Sequence, residues 1–156
     1  MNHSSKVGFS FGTTSGIITT LGLITGLTAS DASKAIIMGG VLTIAFADAF
    51  SDALGIHISE ESENEHTNKE VWASTISTYF SKLLIALTFL VPLILFSSAT
   101  ALVVSIIWGA ILLTLLNYTI YPKNNRWQAV TEHLFIGMIV IVIGFVIGQY
   151  IRNAFQ

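Results

Sequence analysis

The chain alternates long apolar stretches with short polar breaks. Val7 to Thr28, Ala35 to Ile58, Trp72 to Phe96, Thr100 to Tyr121 and Gln128 to Tyr150 each match the roughly 20 residues that a helix needs to cross a bilayer core. Lipid offers no partner to an unpaired backbone N–H or C=O, so stretches of this kind are helices. The pattern predicts an all-α integral membrane protein: one domain over residues 1–156 with five transmembrane helices at about 7–28, 35–58, 72–96, 100–121 and 128–150.

The breaks have their own signals. In "ASDASK", Ser30 or Asp31 can cap the second helix, and so short a link makes the first two helices a hairpin. Pro92 removes a backbone hydrogen bond late in the third span and predicts a bend there, while Pro122 stops the fourth. Trp72, Tyr118, Tyr121 and Trp127 fall at the depth of interfacial aromatics. The segment 59–70 carries Glu60, Glu61, Glu63, Glu65, His66 and Glu70; it is polar on every side, and both a helix and a segment disordered until metal binds fit it.

Composition agrees and narrows the function. Of 156 residues, 53% are apolar and 10% charged, which is membrane composition. A net charge of -2 excludes a nucleic-acid partner, which needs a basic face to displace counterions from phosphate. With no cysteine there is no disulfide or thiolate chemistry, so any metal site uses oxygen, imidazole or thioether. The single Lys6 before a long run rich in Gly and Thr reads as an uncleaved first span. Lys6, Lys69, Lys123 and Arg126 fall on the side of the N-terminus, Lys34 and Arg152 on the other. That excess puts the N-terminus and the acidic segment in the cytoplasm and the C-terminus outside, in a cell (inner or plasma) membrane. An odd number of spans excludes two equal inverted halves within one chain, so symmetry calls for a second copy.

Two aspartates break the apolar pattern of the second span. Asp48 and Asp52 sit where an aspartate costs about 3 kcal/mol on insertion scales, and intramembrane acids of this kind are functional by default. Lys82 alone is a cation near their depth, so the compensating cation is expected to come and go. Burial disfavours a charged carboxylate and a bound divalent cation favours it, so metal and proton compete for the same oxygens. At about 100° per residue, Asp52, Gly55, Ser59, Glu63 and His66 fall within about 60° of Asp48 on a continuous helix, and His57 falls opposite. In the first span Gly8, Gly12, Ser15, Thr19, Gly22 and Gly26 form a seam of small residues, a close-packing face; His133, Gly137, Gly144 and Gly148 form a looser one in the fifth.

The stretches "FGTTSGIITTLGLITGL", "GGVLTIAFADAFSDALGIHISEESE", "FLVPLIL" and "EHLFIGMIVIVIGFVIGQYI" resemble the vacuolar iron transporter family. The resemblance implies a five-span homodimer whose subunits meet along helices 1 and 2 around a shared ion path, exchanging iron(II) or manganese(II) for protons. Here Ser15 stands where the family has an aspartate, and Asp48 and Asp52 stand where it has a methionine and a glutamate. The family's separate cytoplasmic metal-binding helices are absent, with the segment from Ser59 to Glu70 in their place. Loss of the thioether favours harder ions, which brings manganese beside iron.

The expected function is that of a carrier, not an enzyme: a divalent metal leaves the cytoplasm in exchange for protons, and no cofactor is permanently bound. Asp48 and Asp52 are the expected transport ligands, Ser15 and Thr19 line the path, and Glu60, Glu61, Glu63 and His66 gather metal at the cytoplasmic mouth. Two carboxylates are too few for a closed site, so carbonyls, hydroxyls, water or a second subunit must complete it. The rivals are a non-transporting membrane subunit whose acidic segment binds a partner, and a proton or cation channel.

Overall fold

The computed structural model describes residues 3–155; the extreme ends of the single domain expected over 1–156 lie outside the described residues. Among the described residues five helices are long and apolar enough to cross a membrane: α1 (His3–Ala29), α2 (Lys34–Glu63), α3 (Asn68–Leu95), α4 (Ser98–Ile120) and α5 (Arg126–Phe155). No strand occurs among the described residues. Most of these helices extend past the expected spans, because their polar end turns leave the apolar stretch without leaving the helical ladder.

The connections are tight. Asp31 takes a left-handed conformation (φ 61°) in the turn after α1. The cap of α2 is Ser33, whose side chain accepts from the Ile36 N–H, rather than Ser30 or Asp31. At its other end α2 runs on through Glu63 and stops at Asn64, also left-handed at φ 54°. Thr67 and Glu70 then open α3 with a capping box: Glu70 Oε2 accepts from the Thr67 N–H at 2.9 Å and from its hydroxyl at 2.8 Å. The acidic segment is therefore helix, a four-residue turn and helix. His66 lies in the turn, so it is not on the α2 face that a continuous helix would have given it.

Two interruptions shape the bundle. Within α2, residues Ile44–Asp48 form a π-helical turn, marked by the Ala49 N–H bonding back to the Ile44 carbonyl. Within α3, Phe89 breaks the helix three residues before Pro92, which has no N–H for the Thr88 carbonyl, and the helix resumes over Leu90–Leu95. The Trp108 indole donates to Thr88 Oγ1 at 2.9 Å and ties α4 to this bend. Lys34 Nζ donates to the carbonyls of Ile94 and Phe96, which end α3.

Helix α1 is the axis of the bundle and packs against α3, α5 and α4. Its Ile17, Leu21 and Ile24 share a core with Ile37, Val41, Phe89, Leu93, Ala101 and Leu113. Between lipid-embedded helices there is little hydrophobic drive, so close approach matters more. The predicted seam supplies it, in two halves that serve different partners. A Cβ at Gly8 or Gly12 would run into the Ser74 and Thr78 carbonyls of α3, and one at Gly144 would sit 2.8 Å from the Gly22 carbonyl. The α1 seam is thus used within one subunit.

Candidate functional site

Asp48 and Asp52 meet a lysine. Lys82, in the middle of α3, is fully buried, and its ammonium lies 2.5 Å from Asp48 Oδ2 and 2.6 Å from Asp52 Oδ2. It also donates to Ser15 Oγ on α1 at 3.1 Å. The ammonium thus meets three oxygens from two other helices, hydrogen-bonding Asp52 and Ser15 and ion-paired with Asp48. The expectation that the compensating cation would come and go is corrected: the chain carries one of its own. Two carboxylates and one ammonium leave a formal charge of -1.

The local fold explains the convergence. The i, i+4 spacing puts both aspartates on one side of α2, and the π-helical turn ends at Asp48 itself. Ala49, Ala53 and Glu60 are the buried residues of the helical part that follows. Gly16 of α1 packs against the Lys82 backbone, with the position of a Cβ only 3.2 Å from the Lys82 carbonyl, so the lysine's main chain is held. The pair is open on one side. The Asp48 side chain is 39% exposed and that of Asp52 19%, against 0% for Lys82, so the lysine enters from inside the bundle and an ion can approach only from outside it.

The other expected residues are distributed more widely. Thr19 lies one turn beyond Ser15 and turns its hydroxyl back to the Ser15 carbonyl at 2.7 Å. Glu60 is buried, and Ser74 Oγ of α3 donates to its Oε2 at 2.5 Å. Glu60 is about 12 Å along the helix axis from Asp52 at a rise of 1.5 Å per residue. Glu61 and Glu63 are exposed, and Glu63 Oε2 lies 3.4 Å from His66 Nε2. Glu60, Glu61, Glu63 and His66 are not drawn into one cluster with the aspartates. Among the described residues no group of three or more His, Asp or Glu side chains is placed to hold a metal ion.

Sequence reasoning left four partners unassigned. Lys82 was at the right depth with no sign of its direction; the available signal is the polar stripe Ser74, Thr78, Ser81 and Lys82, all buried on α3. The pairing of Glu60 with Ser74 follows from that stripe. Asn117 of α4 is buried and faces His133 Nδ1 at 2.5 Å, which gives the polar head of the α5 seam its partner. His57, expected to face away from the aspartates, bonds Thr75 of α3 through Nδ1 at 3.0 Å.

A protein-family model described as the VIT family matches residues 9–72. The matched segment holds α1, α2 and the opening of α3, and with them Ser15, Asp48 and Asp52; Lys82 lies beyond it. Comparison with curated proteins and with solved structures gave no match. Over that segment, which bears the aspartate pair, the chain is similar to the VIT family, and its five membrane-length helices make it a multi-pass membrane protein.

Proposed function

We propose that the chain is a homodimeric carrier of a cell membrane that moves iron(II) or manganese(II) out of the cytoplasm in exchange for protons, with Asp48 and Asp52 as its transport ligands. The observation that carries this reading is the charged triad at the middle of membrane-length helices with Asp48 open on one side. Carboxylate oxygens suit manganese(II) and iron(II), and protons compete for them. Ser15 holds the lysine from α1, and Thr19 lies next to it along the path. Exposed Glu61 and Glu63, with half-buried His66 beside them, form the acidic mouth on the side that the Lys and Arg count makes cytoplasmic.

A second copy supplies what one pair of carboxylates lacks. Gly39, Thr43, Ala47, Ser51 and Gly55 recur every four residues on α2, and all are exposed. At Gly39 and Gly55 a Cβ would meet nothing within 4 Å. Small residues at this spacing suit a close right-handed helix crossing. The stripe runs beside Asp48 and Asp52, so pairing two copies through α2 brings four carboxylates to one interface. The α1 seam is taken up inside the subunit, which leaves α2 as the main contact.

The rival is a non-transporting membrane subunit, and the ties of Lys82 to both aspartates and Ser15 favour it: the same triad can simply bind α2 to α3 and α1. Metal flux into sealed proteoliposomes, with and without a pH gradient, separates the two. The carrier moves Mn2+ or Fe2+ in response to the gradient, and Asp48→Ala and Asp52→Ala do not. Folded variants that move metal as fast as wild type defeat the site assignment. Flux without proton movement favours a channel, and no flux for any ion favours the subunit.

A further inference from the structure

At the turn from α4 to α5 an arginine is held in place with no acceptor among the described residues. Arg126 opens α5 half-buried, and its guanidinium carbon lies 4.1 Å from the centre of the Tyr118 ring, in the last turn of α4. Its Nε is buried without a hydrogen-bond partner, which leaves the two terminal nitrogens to face out. No described acid pairs with Arg126, or with exposed Lys123 in the turn before it. We propose that this turn binds the phosphate of an anionic lipid headgroup, with Arg126 as the oriented ligand and Lys123 as a second charge. The site does not depend on whether the chain carries metal.

Three features point to a lipid phosphate. First, the guanidinium is oriented before any ligand arrives. A planar fork lying on an aromatic ring keeps its N–H edge free, and that edge matches two oxygens of one phosphate. Second, the positive charge is not offset locally. The first turn of α5 carries no acid, and Glu132, the nearest acid along the helix, already accepts from Gln128 Nε2 at 2.9 Å. The N-terminal end of α5 adds partial charge of the same sign. Third, the depth is that of headgroups. Tyr118 and Trp127 are both exposed, with ring centres 6.0 Å apart, at the adjoining ends of two membrane-length helices. Amphipathic rings at such ends sit at the level of the headgroups, so they put the glycerol and upper acyl chain of a lipid beside the two cations. On the orientation proposed above this turn faces the cytoplasmic leaflet, whose anionic lipids attract Lys and Arg next to a span.

The test uses the full-length protein in a neutral detergent, with bound lipid counted by native mass spectrometry as phosphatidylglycerol or phosphatidylcholine is added, and with inorganic phosphate as competitor. Wild type is expected to hold phosphatidylglycerol at least about fivefold more tightly than phosphatidylcholine, whose headgroup carries its own cation. Arg126→Gln should weaken phosphatidylglycerol about fivefold. Arg126→Lys, which lacks the fork, and Tyr118→Leu, which lacks the ring beneath it, should each weaken it by about threefold or more. Lys69→Gln removes the same charge from an exposed lysine at the start of α3 and should stay within about twofold. Melting in phosphatidylcholine nanodiscs selects the folded variants, and Arg126→Lys keeps size and charge should Arg126→Gln fail to fold. Equal weakening by Arg126→Gln and Lys69→Gln makes the attraction diffuse and overturns the proposal, as does wild-type affinity in folded Arg126→Lys and Tyr118→Leu. Equal affinity of wild type for the two lipids overturns it as well. Displacement of phosphatidylglycerol by an equal concentration of inorganic phosphate makes this a site for a soluble anion and rejects the lipid.

Discussion

The acids of this chain occupy two settings that differ in what surrounds each charge. In mid-membrane, Asp48 and Asp52 face a fully buried lysine that reaches both within 2.6 Å. At the end of α2 and in the turn that follows, Glu61 and Glu65 are exposed, Glu63 meets His66 at 3.4 Å, and Glu60 is buried against one hydroxyl. The residue types are alike and the consequences are not. Water screens the exposed members of the second group, so their charges can change at little cost. In the first group, removing Lys82 leaves two carboxylates without compensation, and breaking a buried pair in this way costs about 3–5 kcal/mol. Density of acids along the sequence is therefore a poor guide to which acids act on an ion within the membrane.

That contrast can be broken by mutation. The largest effect is expected for Asp52→Ala, the less exposed aspartate: Mn2+ flux should fall by about a hundredfold or more, since losing one of two carboxylate ligands, with the remaining one neutralised by Lys82, costs about 3 kcal/mol, or two decades. Vesicle flux normalised to folded protein checks this. Next, Gly12→Val should drive a side chain into the Thr78 carbonyl and cost about 3 kcal/mol or more, seen as a lowered Tm and aggregation in detergent. It would show that the triad depends on α1 meeting α3 at backbone distance. Ser74→Ala strips buried Glu60 of its hydroxyl donor and should cost about 1–3 kcal/mol of stability, read from the same melting curve. The smallest effect belongs to the exposed acids: Glu61→Gln with Glu65→Gln should change stability by less than about 0.5 kcal/mol and leave maximal flux within about twofold. If that pair of changes abolished flux while Asp52→Ala did not, the contrast between the two settings would be reversed.

Much of the fold was legible because membrane insertion depends on runs of apolar residues, and those runs are visible one span at a time. The five helices follow from them, and the bend follows from Pro92, which lacks the N–H that would continue the ladder. The small-residue seam of α1 was legible as a packing face, though not its division between α3 and α5. The ends of the helices were less legible: α2 continues to Glu63 because a polar turn extends an existing helix readily, which an apolar window does not register. The stripe drawn from Asp48 to His66 was correct in period and wrong at its end, where Asn64 stops the helix. Lys82 was the main omission. Its depth could be counted, but the face that α3 turns toward α2 is set by Gly8 and Gly12 meeting Ser74 and Thr78, a contact between residues far apart in the chain. Nothing in "TIAFADAF" marks the π-helical turn that ends at Asp48, and we have no physical account of why it forms there.

The central claim, that the aspartate pair is the transported ion's site, is tested most directly by following Mn2+ and internal pH together in vesicles holding either wild type or Asp52→Asn. The account predicts that wild type moves Mn2+ with an opposing movement of protons, and that folded Asp52→Asn moves neither. Folded Asp52→Asn carrying Mn2+ and protons at the wild-type rate would contradict it.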